Sequence, residues 1–168
     1  MSIDDEVAIS HLQRRKIEGR VLIPFIQTLI ERIGRDAALE ILDATINKLA
    51  VQDGDNWQAQ FGSNFGSLRR VAQEVWGGGG SLEVDILDAS DTHLSFNVTR
   101  CRYAEFYREL GLTDIGIHIH CKRDYAMIDG FNPKIELGRR QTLMEGADHC
   151  NFRYRKRSGL TKAPQSNF

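Results

Sequence analysis

The sequence predicts an α+β fold: an N-terminal helical layer, then a β-β-α-α-β-β unit whose four strands form an antiparallel sheet. Up to Trp76, apolar residues recur at three- and four-residue steps, which is typical of amphipathic helices. After four consecutive glycines at 77–80, apolar and polar residues alternate with period two, as in half-buried strands. We expect one domain over residues 1–168, with a helical part at 1–76 and a mixed part at 81–157 that carries the site.

The first helix is expected over residues 4–33, where apolar side chains follow a helical period. Gly19 and Pro24 interrupt this pattern, so a kink or a break into two helices is expected near Leu22. Gly34 then has the position and the backbone freedom of a helix C-cap.

Two more helices are expected before the glycines. The second covers residues 35–51 and is expected to end at a break marked by Gly54. The third covers residues 56–76, although Gly62 and Gly66 weaken its helical propensity. Its large apolar side chains either pack in the core or a dimer contact, or form the hydrophobic wall of a ligand site; they are Trp57, Phe61, Phe65, Leu68 and Trp76.

The mixed part contains two predicted hairpins with two helices between them. Turn residues separate the strands, and glycine or an Asn-Pro pair ends the helices. The first hairpin has strands at 82–87 and 94–99, joined by a turn at 88–91. The helices cover 103–110, capped by Gly111, and a segment from an N-cap at Thr113 or Asp114 to about residue 128. The second hairpin pairs 135–144 with 149–154 across 145–148.

Composition and charge limit the classes of partner. The net charge of −1 gives no general affinity for polyanions, and the basic cluster at 153–157 has no aromatic stacking platform, so no nucleic-acid partner is expected. No apolar run approaches the ~20 residues that span a membrane, and the acidic N-terminus lacks the apolar stretch of a signal peptide. We expect a cytoplasmic homo-oligomer with a small-molecule substrate and no membrane partner.

Residue types that carry chemistry cluster in the stretch 97–154, which holds all three cysteines. Cys121 and Asp124 are three residues apart on a predicted helix, so they share one face, where the carboxylate can orient the thiol or act as a general base. Alternatively, Asp124 forms a surface ion pair with Arg123 or Lys122.

Strand alternation places Cys150 on the same face as Phe152 and Tyr154, toward the interior. A buried thiol there is either a small hydrophobe or, if a cation such as Arg139 or His149 lowers its pKa, a nucleophile. Three cysteines form an odd set without the spacing of a disulfide framework, so in a reducing compartment we expect thiols, metal ligands or core residues.

The segments VTRCRYAEFYRELG at 98–111, HCKRDYA at 120–126 and RRQTLMEGADHCNFRYR at 139–155 resemble, in order and spacing, motifs of the L-2-amino-thiazoline-4-carboxylic acid hydrolase family. The likeness covers roughly the C-terminal third to half of the chain. That family usually has threonine where Arg140 stands and aspartate where Asn151 stands, so the substrate need not be the one that names the family.

The resemblance implies a hydrolase that acts on a carbon–nitrogen bond of a small cyclic amidine or amide carboxylate. The expected catalytic residues are Cys121, Asp124 and Cys150. Either Asp124 activates water as a general base, or a cysteine thiolate adds to the electrophilic ring carbon. The expected substrate-binding residues are Arg100, Arg139 and His149, with an arginine holding the carboxylate.

Two alternatives remain open. Zinc is a candidate cofactor because Cys101, Cys121, His149 and Cys150 have the chemistry of zinc ligands, although they lack a C-x-x-C clamp and the cofactor is otherwise unknown. The second half of the chain also resembles, more loosely, the ligand-sensing domains of the vinyl-reductase and haem–nitric-oxide-binding type. That resemblance implies a small-molecule or metal sensing module in place of an enzyme.

Overall fold

The computed structural model describes residues 9–158 and has the α+β architecture that the sequence predicts. The helices are α1 (His11–Ile33), α2 (Arg35–Phe61), α3 (Phe65–Arg70), α4 (Arg102–Glu109), α5 (Thr113–Gly116) and α6 (Arg123–Phe131). The strands are β1 (Leu82–Ala89), β2 (His93–Cys101), β3 (Ile135–Gly138) and β4 (Cys150–Lys156).

The first helix is continuous. A capping box fixes its start, because the Ser10 side chain accepts a hydrogen bond from the Gln13 amide and the Gln13 side chain accepts one from the Ser10 amide. Pro24 lies inside α1, so the predicted division into two helices is wrong. Gly34 ends the helix at φ 86°, as predicted, and residues 4–8 of the predicted helix lie outside the described range.

The second helix does not stop at Gly54, as the sequence predicts, but continues to Phe61. The reason is tertiary: a β-carbon at Gly54 would overlap the Met127 carbonyl oxygen of α6, and one at Gly130 would overlap the Val51 carbonyl oxygen of α2. The two glycines therefore let the backbones of α2 and α6 pack in direct contact.

The predicted third helix, 56–76, is divided in two. Its first residues belong to α2, which ends at Gly62 with φ 90°. After α3 the chain continues into a π-helical turn, Val71–Trp76, in which the Gly77 amide donates to the Ala72 carbonyl at 3.0 Å. Such π-helical turns are rare in proteins, and many of those that occur are located at functional sites.

The four strands form one antiparallel sheet in the order β1-β2-β4-β3. Inward-facing residues of the two central strands lie opposite each other across the ladder: Leu94 with Tyr154, Phe96 with Phe152, and Val98 with Cys150. All six are buried, so the predicted inward direction of Cys150 is confirmed.

Between the hairpins, the second predicted helix is also interrupted. Asp114 does not cap it, because its carboxylate accepts a hydrogen bond from Arg35 at 2.7 Å. After α5 the chain forms a second π-helical turn, Ile117–Cys121, closed by the Lys122 amide donating to the Ile117 carbonyl at 2.9 Å. Helix α6 follows directly.

The second hairpin is shorter than predicted, because β3 ends at Gly138. Beyond it, backbone groups bond to side chains in place of the ladder: the amides of Arg140 and Gln141 donate to Asn151 Oδ1 at 2.9 and 3.1 Å. Residues 139–149 therefore form an irregular segment that runs over the end of the sheet, with a short 3-10 turn at Leu143–Glu145.

Buried apolar side chains form two clusters. One packs α3, its π turn and α6 onto the inner face of the sheet, and the other joins α1, α2, α4 and the π turn before α6. Cys101 and Leu143 touch both clusters, so the end of β2 and the irregular segment lie where the clusters meet. Within residues 9–158, no helix has the length and apolar character needed to cross a membrane.

Candidate active site

A cavity opens where the two clusters meet. Its volume is about 90 Å³ on a scale where one water takes ~10–15 Å³, so it has room for a molecule equivalent to about six to nine waters. The sequence predicts a site carried by the mixed part, and the helical part also contributes to the cavity wall. Trp57 and Trp76 line the cavity, as the ligand-wall alternative for these aromatic side chains allows. The polar lining residues are His11, Arg15, Cys101, Tyr103, His120, Cys121, Arg123, Asp124, Arg139 and Cys150.

One end of the cavity holds the expected catalytic residues; we refer to Cys101, Cys121, Asp124, Arg139 and Cys150 as the thiol end. Arg139 Nη1 donates to Asp124 Oδ2 at 2.5 Å and Arg139 Nη2 donates to the Cys121 carbonyl at 2.6 Å. The guanidinium also lies over the rings of Tyr125 and Phe152. It therefore fixes the turn that carries Cys121 and Asp124. Arg123 and Lys122, the alternative partners of Asp124, pair elsewhere.

The Asp124 carboxyl lines the cavity with a side chain that is 20% exposed. Burial raises its pKa above the ordinary range, although the neighbouring Arg139 lowers it. A carboxylate whose proton affinity is raised in this way is a better general base near neutral pH than a solvated one. The ion pair thus keeps Asp124 oriented, while burial tunes its basicity.

All three thiols face the same cavity, from β2, the second π turn and β4. The Ala104 amide donates to Cys101 Sγ at 3.4 Å, and the Leu143 amide donates to Cys150 Sγ at 3.2 Å. Burial raises the pKa of Cys101 to about 12 and also raises that of Cys121. The unliganded site therefore holds protonated thiols.

For Cys150 the sequence allows either a buried small hydrophobe or a nucleophile activated by Arg139 or His149. Burial raises the pKa of the Cys150 thiol, and this effect exceeds the opposing influence of Arg139. His149 does not help, since its ring lies outside the cavity, where Nδ1 pairs with Asp148 at 2.7 Å. In this geometry Cys150 supports the irregular segment through its bond from Leu143.

The other part of the cavity wall contains His11, Arg15, His120 and Arg123, and Asp53 bonds to both of these arginines. We call these five residues the arginine end. Asp53 Oδ2 accepts hydrogen bonds from Arg15 Nη2 at 2.5 Å and from Arg123 Nη2 at 2.6 Å. All three residues are buried. Burial lowers the pKa of Arg123 to about 10, with Arg15 adding to the effect, and the guanidinium remains charged at neutral pH.

The tautomer of His11 follows from its hydrogen bonds. Tyr103 donates its single hydroxyl proton to the Trp76 carbonyl at 3.1 Å, since a carbonyl only accepts. His11 Nδ1, 2.8 Å from the Tyr103 oxygen, must therefore be the donor in that contact. Burial, helped by Arg15 and Arg123, lowers the pKa of His11 to about 3, so its Nε2 carries a free lone pair.

His120 is a second neutral imidazole of the cavity wall. Burial lowers its pKa well below the usual value, and Arg123 and Arg15 add to the shift. Its ring packs at 5.4 Å from the Tyr103 ring and 5.2 Å from the Tyr107 ring. His118, two residues earlier, points away and bonds to Asp43 at 2.7 Å. The π turn therefore directs one histidine into the cavity and the other to the surface.

Two of the expected substrate-binding residues lie outside the cavity. Arg100 is exposed and pairs with Glu105 at 2.7 Å and Glu83 at 3.7 Å. His149 is held against Asp148 and Gln141. Arg100 is near the end of β2 and His149 is the last residue of the irregular segment, and neither side chain lines the cavity.

The structure gives the positions of the four candidate zinc ligands. Among residues 9–158, no three His, Cys, Asp or Glu side chains are grouped closely enough to hold a metal ion. Cys101, Cys121 and Cys150 line one cavity, but His149, the fourth ligand considered, lies outside it.

The sequence interpretation missed Arg15, Asp53 and Arg123 as site residues. A signal was present: each is a charged residue on the apolar stripe of its helix, in line with buried neighbours such as Leu12, Ala50 and Met127. A charge at such a position is rarely buried unless it is paired or functional.

The fold and the cavity together define an α+β domain that encloses a cavity with ionisable walls. A model of the L-2-amino-thiazoline-4-carboxylic acid hydrolase family matches residues 14–154, and the chain belongs to this family. The match extends well beyond the C-terminal motifs and includes nearly all of α1. No curated protein matches the chain.

Two solved structures are similar in fold. One is trafficking protein particle complex subunit 3 from Naegleria fowleri, covalently bound to palmitic acid, with 16% identity, a TM-score of 0.50, and coverage of 88% of this chain and 99% of that one. The other is the phenol-responsive sensory domain of the transcription activator PoxR with phenol, with 12% identity, a TM-score of 0.53, and coverage of 84% and 74% respectively. At these identities the likeness concerns the fold alone.

Proposed function

We propose that this protein hydrolyses a carbon–nitrogen bond of a small cyclic amidine or amide that carries a carboxylate. The observation that carries the proposal is the half-buried Asp124, held by Arg139 in the wall of a cavity of small-molecule size. Membership of a family named for a hydrolase of such a ring supports the same reaction class.

In the proposed reaction, Asp124 takes a proton from a water molecule as the water oxygen bonds to the electrophilic ring carbon. The carbon–nitrogen bond then breaks, and the departing nitrogen receives a proton. Cys121, which is protonated and lies one turn before Asp124, is the proposed donor. The sum is the addition of one water across the bond, and Asp124 returns the proton to the thiol.

A thiolate attack is the less favoured route in this cavity. It would need one of the three thiols to be ionised, and burial raises the pKa of each. We assign Cys150 a positioning role, because its sulfur accepts the Leu143 amide and so holds the irregular segment over the site.

The test is the turnover of a panel of cyclic amidine and amide carboxylates by Asp124→Asn. We expect turnover to fall by ~10²-fold or more, the lower part of the range for loss of a general base. Asp129→Asn is the matched control, since Asp129 is an exposed carboxylate on the same helix, paired with Arg157. Equal turnover of Asp124→Asn and Asp129→Asn would remove Asp124 from the mechanism.

Cys121→Ser separates the two routes. If the thiol only donates a proton, the serine variant should keep measurable turnover, whereas loss of a nucleophile should abolish it. Turnover by the wild-type protein that survives removal of metals with a chelator would support thiol or carboxylate chemistry over a metal, and the Cys121→Ser and Asp124→Asn variants then distinguish these two routes.

A binding or sensing module is the second candidate. It is favoured by the thiol contacts, because in residues 9–158 the bonds to Cys101 and Cys150 sulfur come from backbone amides and not from a titratable base. Saturable binding of the panel without turnover by purified, metal-replete protein would favour this function.

A further inference from the structure

The arginine end of the cavity carries more positive charge than its own carboxylates balance. Asp53 and Glu18 face three cations: Arg14 lies 4.0 Å from Asp53, Arg15 bonds to both carboxylates, and Arg123 bonds to Asp53 alone. Three arginines against two carboxylates leave an excess of one positive charge. The Arg14 side chain is 55% exposed and also pairs with Glu18 at 2.9 Å, so solvent screens its charge. Arg15 and Arg123 are buried and share the single carboxylate of Asp53, so solvent screens the charge of these two poorly.

Of the two buried arginines, Arg123 has the larger unused donor capacity. A guanidinium has five N–H donors, and in the described part of the chain the Arg123 side chain makes one hydrogen bond, from Nη2 to Asp53 Oδ2. Its side chain is only 7% exposed, yet it lines the cavity. A guanidinium that borders a cavity and has several unused N–H donors has the properties of a site that a ligand completes.

The other polar groups nearby cannot serve an anion equally well. His11 presents the lone pair of Nε2 to its surroundings, and that atom has no partner among the described residues. Arg139 already donates from Nη1 to Asp124 and from Nη2 to the Cys121 carbonyl. Arg100 lies outside the cavity. Arg15 bonds to Glu18 and Asp53 through Nη1 and Nη2, and only its Nε lacks a partner among the described residues. Arg123 is therefore the cavity cation with the most donors available.

We propose that Arg123, supported by Arg15, binds the carboxylate of the ring ligand at the arginine end of the cavity. The ring then extends toward the thiol end, where Asp124 and Cys121 lie. Arg123 and Asp124 are consecutive residues of α6, so the residue that anchors the ligand and the residue proposed to activate water are fixed to one another by a single backbone. This inference deepens the proposed function and rests on it for the identity of the ring.

The test measures binding and turnover separately. Both tryptophans of the chain, Trp57 and Trp76, line the cavity, so intrinsic fluorescence reports ligand entry. The ligands are L-2-amino-thiazoline-4-carboxylic acid and pyroglutamic acid, each compared with its own carboxamide in the first seconds after mixing. For the wild-type protein, we expect each acid to bind at least about tenfold more tightly than its amide, because a hydrogen-bonded charge pair is worth about that factor.

Arg123→Gln should weaken acid binding by about 10- to 100-fold and leave amide binding nearly unchanged, so that the preference for the acid disappears. This variant keeps the Arg15–Asp53 pair. Arg123→Lys keeps the charge without the bidentate fork, and should retain part of the preference even if the glutamine variant does not fold. Arg100→Gln is the matched control: it removes an arginine outside the cavity and should bind both ligands as the wild-type protein does.

Equal affinity of the wild-type protein for acids and amides would overturn the inference, as would no saturable binding of either. An equal loss of both ligands in the Arg123 variants would also overturn it. Acid-selective binding that depends on Arg123, without turnover, would support the carboxylate site and contradict the proposed hydrolysis. Turnover with binding affinities that do not depend on Arg123 would support the hydrolysis and contradict the carboxylate site.

Discussion

Replacing Asp53 by asparagine should destabilise the protein strongly, because Asp53 is the carboxylate that two buried arginines share. The change keeps the volume and an acceptor oxygen but removes the charge that faces Arg15 and Arg123 at 2.5 and 2.6 Å. Breaking a buried ion pair from one side typically costs ~3–5 kcal/mol, since the partner charge is left buried without compensation. Glu18 still pairs with Arg15, so Arg123 becomes the uncompensated charge.

The assay is thermal and urea unfolding of Asp53→Asn beside Asp55→Asn. Asp55 is an exposed carboxylate two residues further along the same helix, and its change should stay within ~0.5 kcal/mol of wild type. For a domain of this size each kcal/mol corresponds to ~2–4 °C in Tm, so the loss at Asp53 should lower Tm by roughly 6–20 °C.

A double-mutant cycle identifies the source of the loss. If the uncompensated charge of Arg123 causes it, Asp53→Asn should cost less when Arg123 is already glutamine, with a coupling energy of about 1 kcal/mol or more. Additive effects of the two changes, or a loss at Asp53 no larger than at Asp55, would show that the cluster is solvated and would refute the reasoning.

Three further predictions concern other parts of the molecule. Gly54→Ala should lower the free energy of unfolding, measured by chemical denaturation, by ~1–3 kcal/mol or more, because the added methyl group would overlap the backbone of α6. This loss is expected even though alanine has a better helix propensity than glycine, whereas Gly66→Ala, in an exposed turn of α3, should not destabilise the protein. Cys150 should be alkylated by iodoacetamide at pH 8 more slowly than free cysteine, since burial raises its pKa; labelling at the rate of free cysteine, read by mass spectrometry, would contradict this. The pKa of His11 is 6.5 in the unfolded chain and about 3 in the folded protein, so between these pH values only the unfolded chain binds the proton. The free energy of unfolding should therefore fall by about 2 kcal/mol from pH 7 to pH 5. His11→Asn should reduce that fall in urea titrations at the two pH values.

The elements that the sequence predicts well are those whose signal is local. The strands β1 and β2 follow from their period-two pattern, and Gly34 and Gly111 end helices with the positive φ that glycine allows. The break that the sequence predicts at Gly54 is wrong because of tertiary packing. A glycine that lets two backbones touch looks the same in the local sequence as one that breaks a helix. Nothing in a single sequence distinguishes the two.

The site could be predicted in part. The motif residues at the thiol end lie together because α6 and β4 face each other, an arrangement that the order of elements suggests. Asp53 and Arg123 are far apart in sequence, and their meeting depends on the contact between α2 and α6. The π turn at Ile117–Cys121 could not be predicted from the sequence either. Its geometry depends on a hydrogen-bond register that composition does not specify, and the direction of His120 depends on that geometry.

The close contact of Gly54 with α6 also determines which part of the wall can evolve. Asp53 precedes one of the touching glycines, and Arg123 and Asp124 lie two turns before the other, Gly130, so the ionisable frame is tied to backbone that cannot move apart or closer. Residues 140–149, beyond Arg139, are held by side-chain contacts and have no such restriction. Substitutions in this segment can therefore alter the shape of the cavity, while the frame of Asp53, Arg123 and Asp124 stays the same.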